Sequence, residues 1–208
     1  MKASVQLYKI YRYKQVSGLT DLHFHKFFED EKERRKWQNP EAILVEIGVK
    51  AGLTFVDVGC GRGFFALPAA RLVGNGGRIF GLDADSEVIR TLKEKAAEEK
   101  LKNLKLEAGM AEETILCDSC ADIVFFGIVL HDFEDPSKVL SNAKKMLKPT
   151  GRLVDLDWKK EPMQLGPPLN IRFGEKKASD LIEKMGFCIS EIKKEELYHY
   201  LIVATPKS

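Results

Sequence analysis

The chain has 208 residues, 44% of them hydrophobic and 31% charged, with a formal net charge of +2. That length suits one domain with a sizeable core, and the charge is too balanced for general attraction to nucleic acid. No apolar run approaches the roughly 20 residues that span a bilayer. Residues 1–19 lack the apolar centre of a secretory leader, so a cytoplasmic protein with no membrane partner is expected.

Residues 1–20 carry Lys2, Lys9, Arg12 and Lys14 and no acid. Val5, Leu7, Tyr11 and Tyr13 alternate as on a strand, while Tyr8 and Tyr11 share a helix face, so periodicity leaves both readings open. Residues 21–36 are dense in balanced charge, contain His23, His25, Phe27 and Phe28, and lead to Trp37. Residues 1–38 are read as an N-terminal cap segment over a ligand cleft, and residues 39–208 as the main domain.

Asn39-Pro40 marks a helix start, with Ile43, Leu44 and Ile47 as its apolar face. Thr54 to Val58 reads as a strand, and Gly59-Cys60-Gly61-Arg62-Gly63 follows it. A helix is expected over 63–73, with Pro68 bending its first turns. Strand, glycine loop and helix in that order let a ligand lie against bare backbone at a helix N-terminus. Arg78 to Leu82 reads as the second strand. Asp83 at its end can accept hydrogen bonds from both ribose hydroxyls of an adenosine. Asp85 caps a helix whose face is Val88, Ile89, Leu92 and Ala96.

Leu104 to Ala108 reads as a third strand, and Asp122 to Leu130 holds a fourth, apolar enough to be buried on both faces. Asp135-Pro136 opens a helix to Leu147 that Lys148-Pro149-Thr150-Gly151 stops. Arg152 to Leu156 is the fifth strand. A loop over 157–174 precedes a helix over Glu175 to Met185 and strands over Phe187 to Ile192 and Tyr198 to Ala204. The alternation predicts an α/β fold, a doubly wound, mostly parallel seven-stranded sheet. The last two strands lie too close in sequence for a crossover and are expected to form a C-terminal antiparallel hairpin.

Cys117-x-x-Cys120 is the one close cysteine pair among the four cysteines. Structural zinc takes four ligands. With no second pair and scattered histidines, no metal site is expected. The pair is expected to pack or face solvent rather than act as a redox couple.

Gly59-x-Gly61-x-Gly63 with Asp83 resembles motif I and the following acidic motif of class I S-adenosylmethionine-dependent methyltransferases. A dinucleotide fingerprint would need glycine where Phe64 stands. The resemblance covers about residues 37–205. Asp122 to Gly127 is similar to the family's fourth-strand motif. Leu147-Lys148-Pro149-Thr150-Gly151 is similar to its L-K-P-G-G turn, with Thr150 replacing one glycine. Val129-Leu130-His131-Asp132-Phe133 resembles the V-L-H-H-F segment of the ubiquinone/menaquinone-biosynthesis group, with Asp132 in place of the second histidine. The Gly166-Pro167-Pro168 loop with Arg172 is similar to small bacterial and archaeal members.

The resemblance implies a Rossmann-like methyltransferase fold and S-adenosyl-L-methionine as cofactor. It sets Gly59, Gly61 and Gly63 against the methionine portion, with Asp57 orienting the loop. Asp83 would hold the ribose, Ala84 would lie on adenine, and Phe126-Gly127 would sit near the methyl-bearing sulfur. Met110 stands where the family usually places an acid for the adenine amino group. Adenine is therefore expected against Met110, the Ala111 backbone and Glu112.

The function expected is methyl transfer to a small-molecule acceptor by in-line displacement. His131 is the candidate base, needed only where the acceptor holds a proton. Asp157 and Trp158 are expected to line the acceptor pocket, and His25, Trp37 and Arg172 are read first as structural. A protein methyltransferase, a non-catalytic adenosyl-cofactor-binding module and a nucleotide-dependent oxidoreductase stay open as alternatives. Gly127-Ile128-Val129-Leu130 replaces the Asn/Asp-Pro-Pro-aromatic motif of nucleic-acid amino-methyltransferases, so no nucleic-acid partner is expected. No cysteine precedes Cys60, which speaks against an arsenite acceptor. The acceptor atom and the oligomeric state stay open.

Overall fold

The first corner of the sheet is set by an apolar run that ends in glycines. In the computed structural model, which describes residues 31–163, 166–195 and 197–207, the strand β1 (Thr54–Val58) is buried from Phe55 onward. Before it come α1 (Glu31–Arg34) and α2 (Pro40–Glu46). Asn39 caps α2, its side chain accepting the Ala42 amide at 3.1 Å, and Pro40 takes the first helical position where its missing N–H costs nothing. Tyr8, Tyr11, Tyr13, His23 and His25 lie outside the described residues.

After β1 come α3 (Ala66–Val73), β2 (Arg78–Asp83), α4 (Ser86–Glu98), β3 (Leu104–Ala108) and β4 (Ala121–Gly127). A short 3-10 turn over Leu130–Asp132 leads to α5 (Pro136–Met146), β5 (Leu147–Trp158), α6 (Glu175–Lys184), β6 (Phe187–Glu195) and β7 (His199–Pro206). The sheet has seven strands in the order β3-β2-β1-β4-β5-β7-β6. The first five are parallel, and β7 runs antiparallel between β5 and β6. This is the expected doubly wound sheet closed by a C-terminal hairpin.

β4 is buried on both faces. Ile123 and Phe125 join a core with Phe55, Leu44 and Leu92, while Val124 and Phe126 join the opposite core with Leu140 and Ile182. Asp85 and Asp135 cap α4 and α5 through the amides of Glu87 (2.8 Å) and Lys138 (3.0 Å). Such caps are worth about 1 kcal/mol each. No described helix is long and apolar enough to cross a membrane.

Three expectations need correction. α3 begins at Ala66, not Gly63, because Gly61 and Gly63 adopt positive φ (53° and 88°). Pro68 thus falls in the first turn, where an N–H has no intrahelical partner to lose. The Lys148–Gly151 segment does stop α5, but as part of β5. The register with β4 shifts from Ala121↔Leu147 to Ile123↔Arg152, a bulge that absorbs Lys148-Pro149-Thr150-Gly151. Lys148 Nζ donates to Asp122 Oδ1 at 2.7 Å, while Asp122 Oδ2 accepts the Thr54 amide at 2.8 Å, so one acid braces three strand starts. Finally, Cys117 and Cys120 are joined in a disulfide rather than merely packing. The bond lies in the helix-free connection between β3 and β4, where Asn142 Nδ2 also donates to the Ala111 and Glu112 carbonyls (3.0 and 2.9 Å).

Candidate cofactor and acceptor site

β1 and β2 pair in register, Val58 beside Leu82, so the glycine loop leaves β1 next to Asp83. The Gly59 and Cys60 amides both donate to the Leu82 carbonyl, at 2.7 and 3.0 Å. The Gly61 amide donates to Asp83 Oδ2 at 2.9 Å, and the Asp85 amide to Asp83 Oδ1 at 3.0 Å. Each carboxylate oxygen keeps further acceptor capacity. A Cβ on Gly61 would meet nothing within 4 Å, so the backbone there is bare.

A cavity of about 360 Å³ opens over this corner, lined by Asp57, Gly59, Gly61, Asp83 and Gly127 among others, with Glu31 and Arg34 above. A second, of about 60 Å³, shares Gly59 and Asp83 with it and is lined by Ala84, Met110, Ala111 and Glu112. Asp83 therefore stands at the junction of the two. Gly63 lines neither. A Cβ there would strike Leu92 and come within 3.0 Å of Leu67, so this glycine lets α4 pack against the loop.

Asp57 is 2% exposed, and its Oδ2 has no hydrogen-bond partner among the described residues. Burial pushes its carboxyl up to about 7; the Arg34 guanidinium opposes that and the Asp83 charge adds to it. Arg34 is half-buried, with its guanidinium end shielded from solvent; that burial brings it down to about 9 against the pull of Asp57 and Glu31. Its guanidinium carbon lies 3.9 Å from the centre of the Phe64 ring, and its Nε donates to Gln38 Oε1 at 2.8 Å. In the smaller cavity Glu112 Oε2 is buried without a hydrogen-bond partner among the described residues. These orphaned oxygens, the bare loop and the joined cavities fit a ligand with an adenosine and a charged amino-acid end.

His131 lines neither cavity. Its side chain is 2% exposed, with Nδ1 2.8 Å from Asp157 Oδ1 and Nε2 3.5 Å from Asp132 Oδ1. Burial alone would lower the imidazole, but Asp157, Asp132 and Asp155 outweigh it and raise it to about 9. Asp155 is fully buried on the same face of β5 as Asp157. Burial and the Asp157 charge keep it protonated well above the usual carboxylate range. Tyr200 is raised by burial and by both acids.

Trp158 is on the opposite face, packed on His199 (4.4 Å between ring centres), and Trp37 stacks on His199 (5.6 Å). Burial, then Arg34, Lys159 and Arg172, pushes His199 down to about 3, so it is neutral. Arg172 is buried and donates to the carbonyls of Pro167 (2.6 Å), Lys159 and Glu161, pinning the loop after β5. Its reading as structural stands on these contacts.

Arg34, Asp155 and Tyr200 were not anticipated. Asp155 did leave a signal, an acid two residues before Asp157 inside an apolar strand. Arg34 left none within its charge-dense run.

The methyltransferase domain family model matches residues 49–202. The chain belongs to this family, which brings S-adenosylmethionine as cofactor. It is 28% identical to a SAM-dependent methyltransferase of Aquifex aeolicus of known structure (TM-score 0.82, 90% of this chain and 99% of that one). It is also 28% identical to a putative type 11 methyltransferase of Sulfolobus solfataricus (TM-score 0.68, 83% and 94%). Demethylmenaquinone methyltransferase of Staphylococcus aureus is 32% identical over 130 residues, 62% of this chain and 51% of that protein. The enzyme of the same name from a Geobacillus species is 30% identical over 122 residues, 59% and 51%. The chain spans about half the length of these two relatives.

Proposed function

We propose that this protein transfers the methyl group of S-adenosylmethionine to a small-molecule acceptor by in-line displacement. The observation that carries this reading is Asp83 at the junction of two cavities, tied to a loop of bare backbone. The cofactor supplies an activated methyl on sulfur; the chain aligns the nucleophile behind it, and such positioning is worth several kcal/mol. Gly59, Gly61 and Asp57 are assigned to the methionine portion and Asp83 to the ribose hydroxyls. Ala84, Met110, Ala111 and Glu112 are assigned to adenine, with the orphaned Glu112 oxygen accepting from its amino group. Gly127 borders the methyl-bearing sulfur, and Gly63 supports the loop from beneath.

The acceptor class is inferred from relatives whose names give demethylmenaquinone as substrate, which favours a quinone-like aromatic ring. Residues 1–38 are proposed as a cap on the domain over 39–208, supported by Glu31 and Arg34 at the cavity roof. His131, paired with Asp157 after β4, is proposed to handle the acceptor proton, although it lines neither of the two cavities. Held at about 9, it acts as a base only in its minor, neutral fraction at pH 7.

Calorimetry with S-adenosylhomocysteine and NAD tests the cofactor: the first should bind and the second should not. Labelled-methyl transfer to a panel of aromatic diols, amines and proteins tests the acceptor. Transfer to proteins alone, or to nothing, would overturn the small-molecule reading.

A further inference from the structure

The connection over 109–120 carries one wall of the smaller cavity at its start and the Cys117–Cys120 disulfide at its end. It has no helix or strand of its own, and α5 serves as its spine. Near the cavity, Asn142 of α5 holds the Ala111 and Glu112 carbonyls. Near the disulfide, the Ser119 amide donates to the Lys145 carbonyl at 2.9 Å, and the Cys120 amide to the Met146 carbonyl at 3.0 Å. Between the two, the Leu116 amide meets the Met146 sulfur at 3.4 Å. Ser119 has a φ of 48°, a left-handed backbone that is costly for a residue with a side chain. The disulfide closes over this turn, so it helps to hold Ser119 there. Cys117 and Cys120 are half-buried, and Asp118 and Ser119 between them are exposed. The turn is therefore open to a thiol arriving from solvent.

We propose that Cys117 and Cys120 form a reversible thiol–disulfide exchange site, whose bond fixes the wall of the smaller cavity built by Met110, Ala111 and Glu112. The reductant is a dithiol. Its first thiolate attacks one cysteine sulfur, the S–S bond breaks, and the other cysteine sulfur leaves as a thiolate. The second thiolate of the reagent attacks the mixed disulfide and frees the first cysteine. Two electrons pass from the dithiol, which becomes a disulfide, to the cysteine pair, and the two freed cysteines take up the two protons that the dithiol gave up. The same steps in reverse restore the bond. Once it is open, Ser119 is released from its left-handed conformation, and the hydrogen bonds of Ser119 and Cys120 to the end of α5 loosen with it. The exchange chemistry needs no cofactor; only its consequence at the smaller cavity rests on the adenine reading above.

The test compares the full chain before and after treatment with dithiothreitol, which is removed before thiols are counted. In the native protein the count should rise from Cys188 alone to Cys188, Cys117 and Cys120, with Cys60 still buried. Hydrogen exchange read by mass spectrometry should be at least about tenfold faster over 110–120 in the reduced chain. Calorimetry with 5′-methylthioadenosine, the adenosine half of S-adenosylhomocysteine without its amino-acid end, should find binding about fivefold weaker after reduction. The double variant Cys117→Ser/Cys120→Ser should match the reduced chain in exchange and affinity and should not respond to dithiothreitol. A native thiol count unchanged by the reductant, exchange over 110–120 that does not quicken, or equal affinity in both states would overturn the proposal. An oxidised chain that binds neither 5′-methylthioadenosine nor S-adenosylhomocysteine would sink the cofactor reading instead, while thiol count and hydrogen exchange still judge the exchange site.

Discussion

Asp83 Oδ2 accepts the Gly61 amide at 2.9 Å, so the acid ending β2 and the loop leaving β1 are set as one unit. Through Oδ1 the same carboxylate also holds the Asp85 amide, at the start of α4. Removing it should disturb both the proposed ribose contact and the loop. Asp83→Ala should weaken S-adenosylhomocysteine and methylthioadenosine alike, by at least about tenfold. Calorimetry with both compounds reads that parallel loss.

The second and third glycines of the loop should fail differently. Gly61 has φ of 53° and open space around a Cβ; Gly63 has φ of 88° and would drive a Cβ into Leu92. Gly61→Ala should cost about 1–2 kcal/mol of stability and lose cofactor affinity. Gly63→Ala adds overpacking and should cost about 2–5 kcal/mol. Urea titration with and without S-adenosylhomocysteine checks both.

His131 makes stability fall with rising pH. Its folded value is raised, to about 9 from 6.5, so its contribution is complete below about 6.5 and is lost as pH climbs through 9. The shift corresponds to roughly 3 kcal/mol. Asp57, raised to about 7, acts in the same direction at lower pH, and His199, lowered to about 3, acts oppositely below 6.5. Between pH 7 and 9 the midpoint of thermal unfolding should drop, and His131→Asn should flatten that drop.

The same value should shape the rate if His131 takes the acceptor proton as proposed. In the proton-handling role proposed above, His131 would work through its neutral form, so methyl transfer to a protonated acceptor should rise about tenfold per pH unit from 6 to 8 and level near 9. In His131→Asn that slope should vanish. A rate independent of pH in the unaltered enzyme would remove His131 from proton handling.

Four cysteines should titrate in three steps. Cys188 is exposed, Cys60 buried, and Cys117 bonded to Cys120. A thiol reagent should therefore find one group in the native protein, two after unfolding, and four after unfolding with reductant. A bond closing so short a loop is worth about 2 kcal/mol, so reductant should lower the unfolding midpoint by only a few degrees.

Much of the sheet was legible because apolar runs with glycine or acidic ends leave few alternatives. Thr54–Val58 and Leu104–Ala108 fall where their runs begin and end. Pro68 misled because its effect depends on where a helix starts, and positive φ at Gly61 and Gly63 moved that start. The bulge in β5 was hidden because pairing, not composition, makes Leu147 a strand residue. The cofactor roles expected at the glycine corner beside Asp83 came from the family resemblance, and the corner itself was readable from the strand, glycine loop and helix order. Arg34, Asp155 and Tyr200 were not, because their importance lies in neighbours far away in the chain. No local pattern tells an arginine with a shielded guanidinium from its solvated neighbours Arg35 and Lys36.

Both tryptophans of the chain, Trp37 and Trp158, stand 5.9 Å apart, one on the segment that bears Arg34 and the other at the end of β5. Their intrinsic emission thus originates at a single seam. The protein carries an unlabelled optical gauge there, and the docking of residues 31–38 can be followed in real time by stopped-flow mixing.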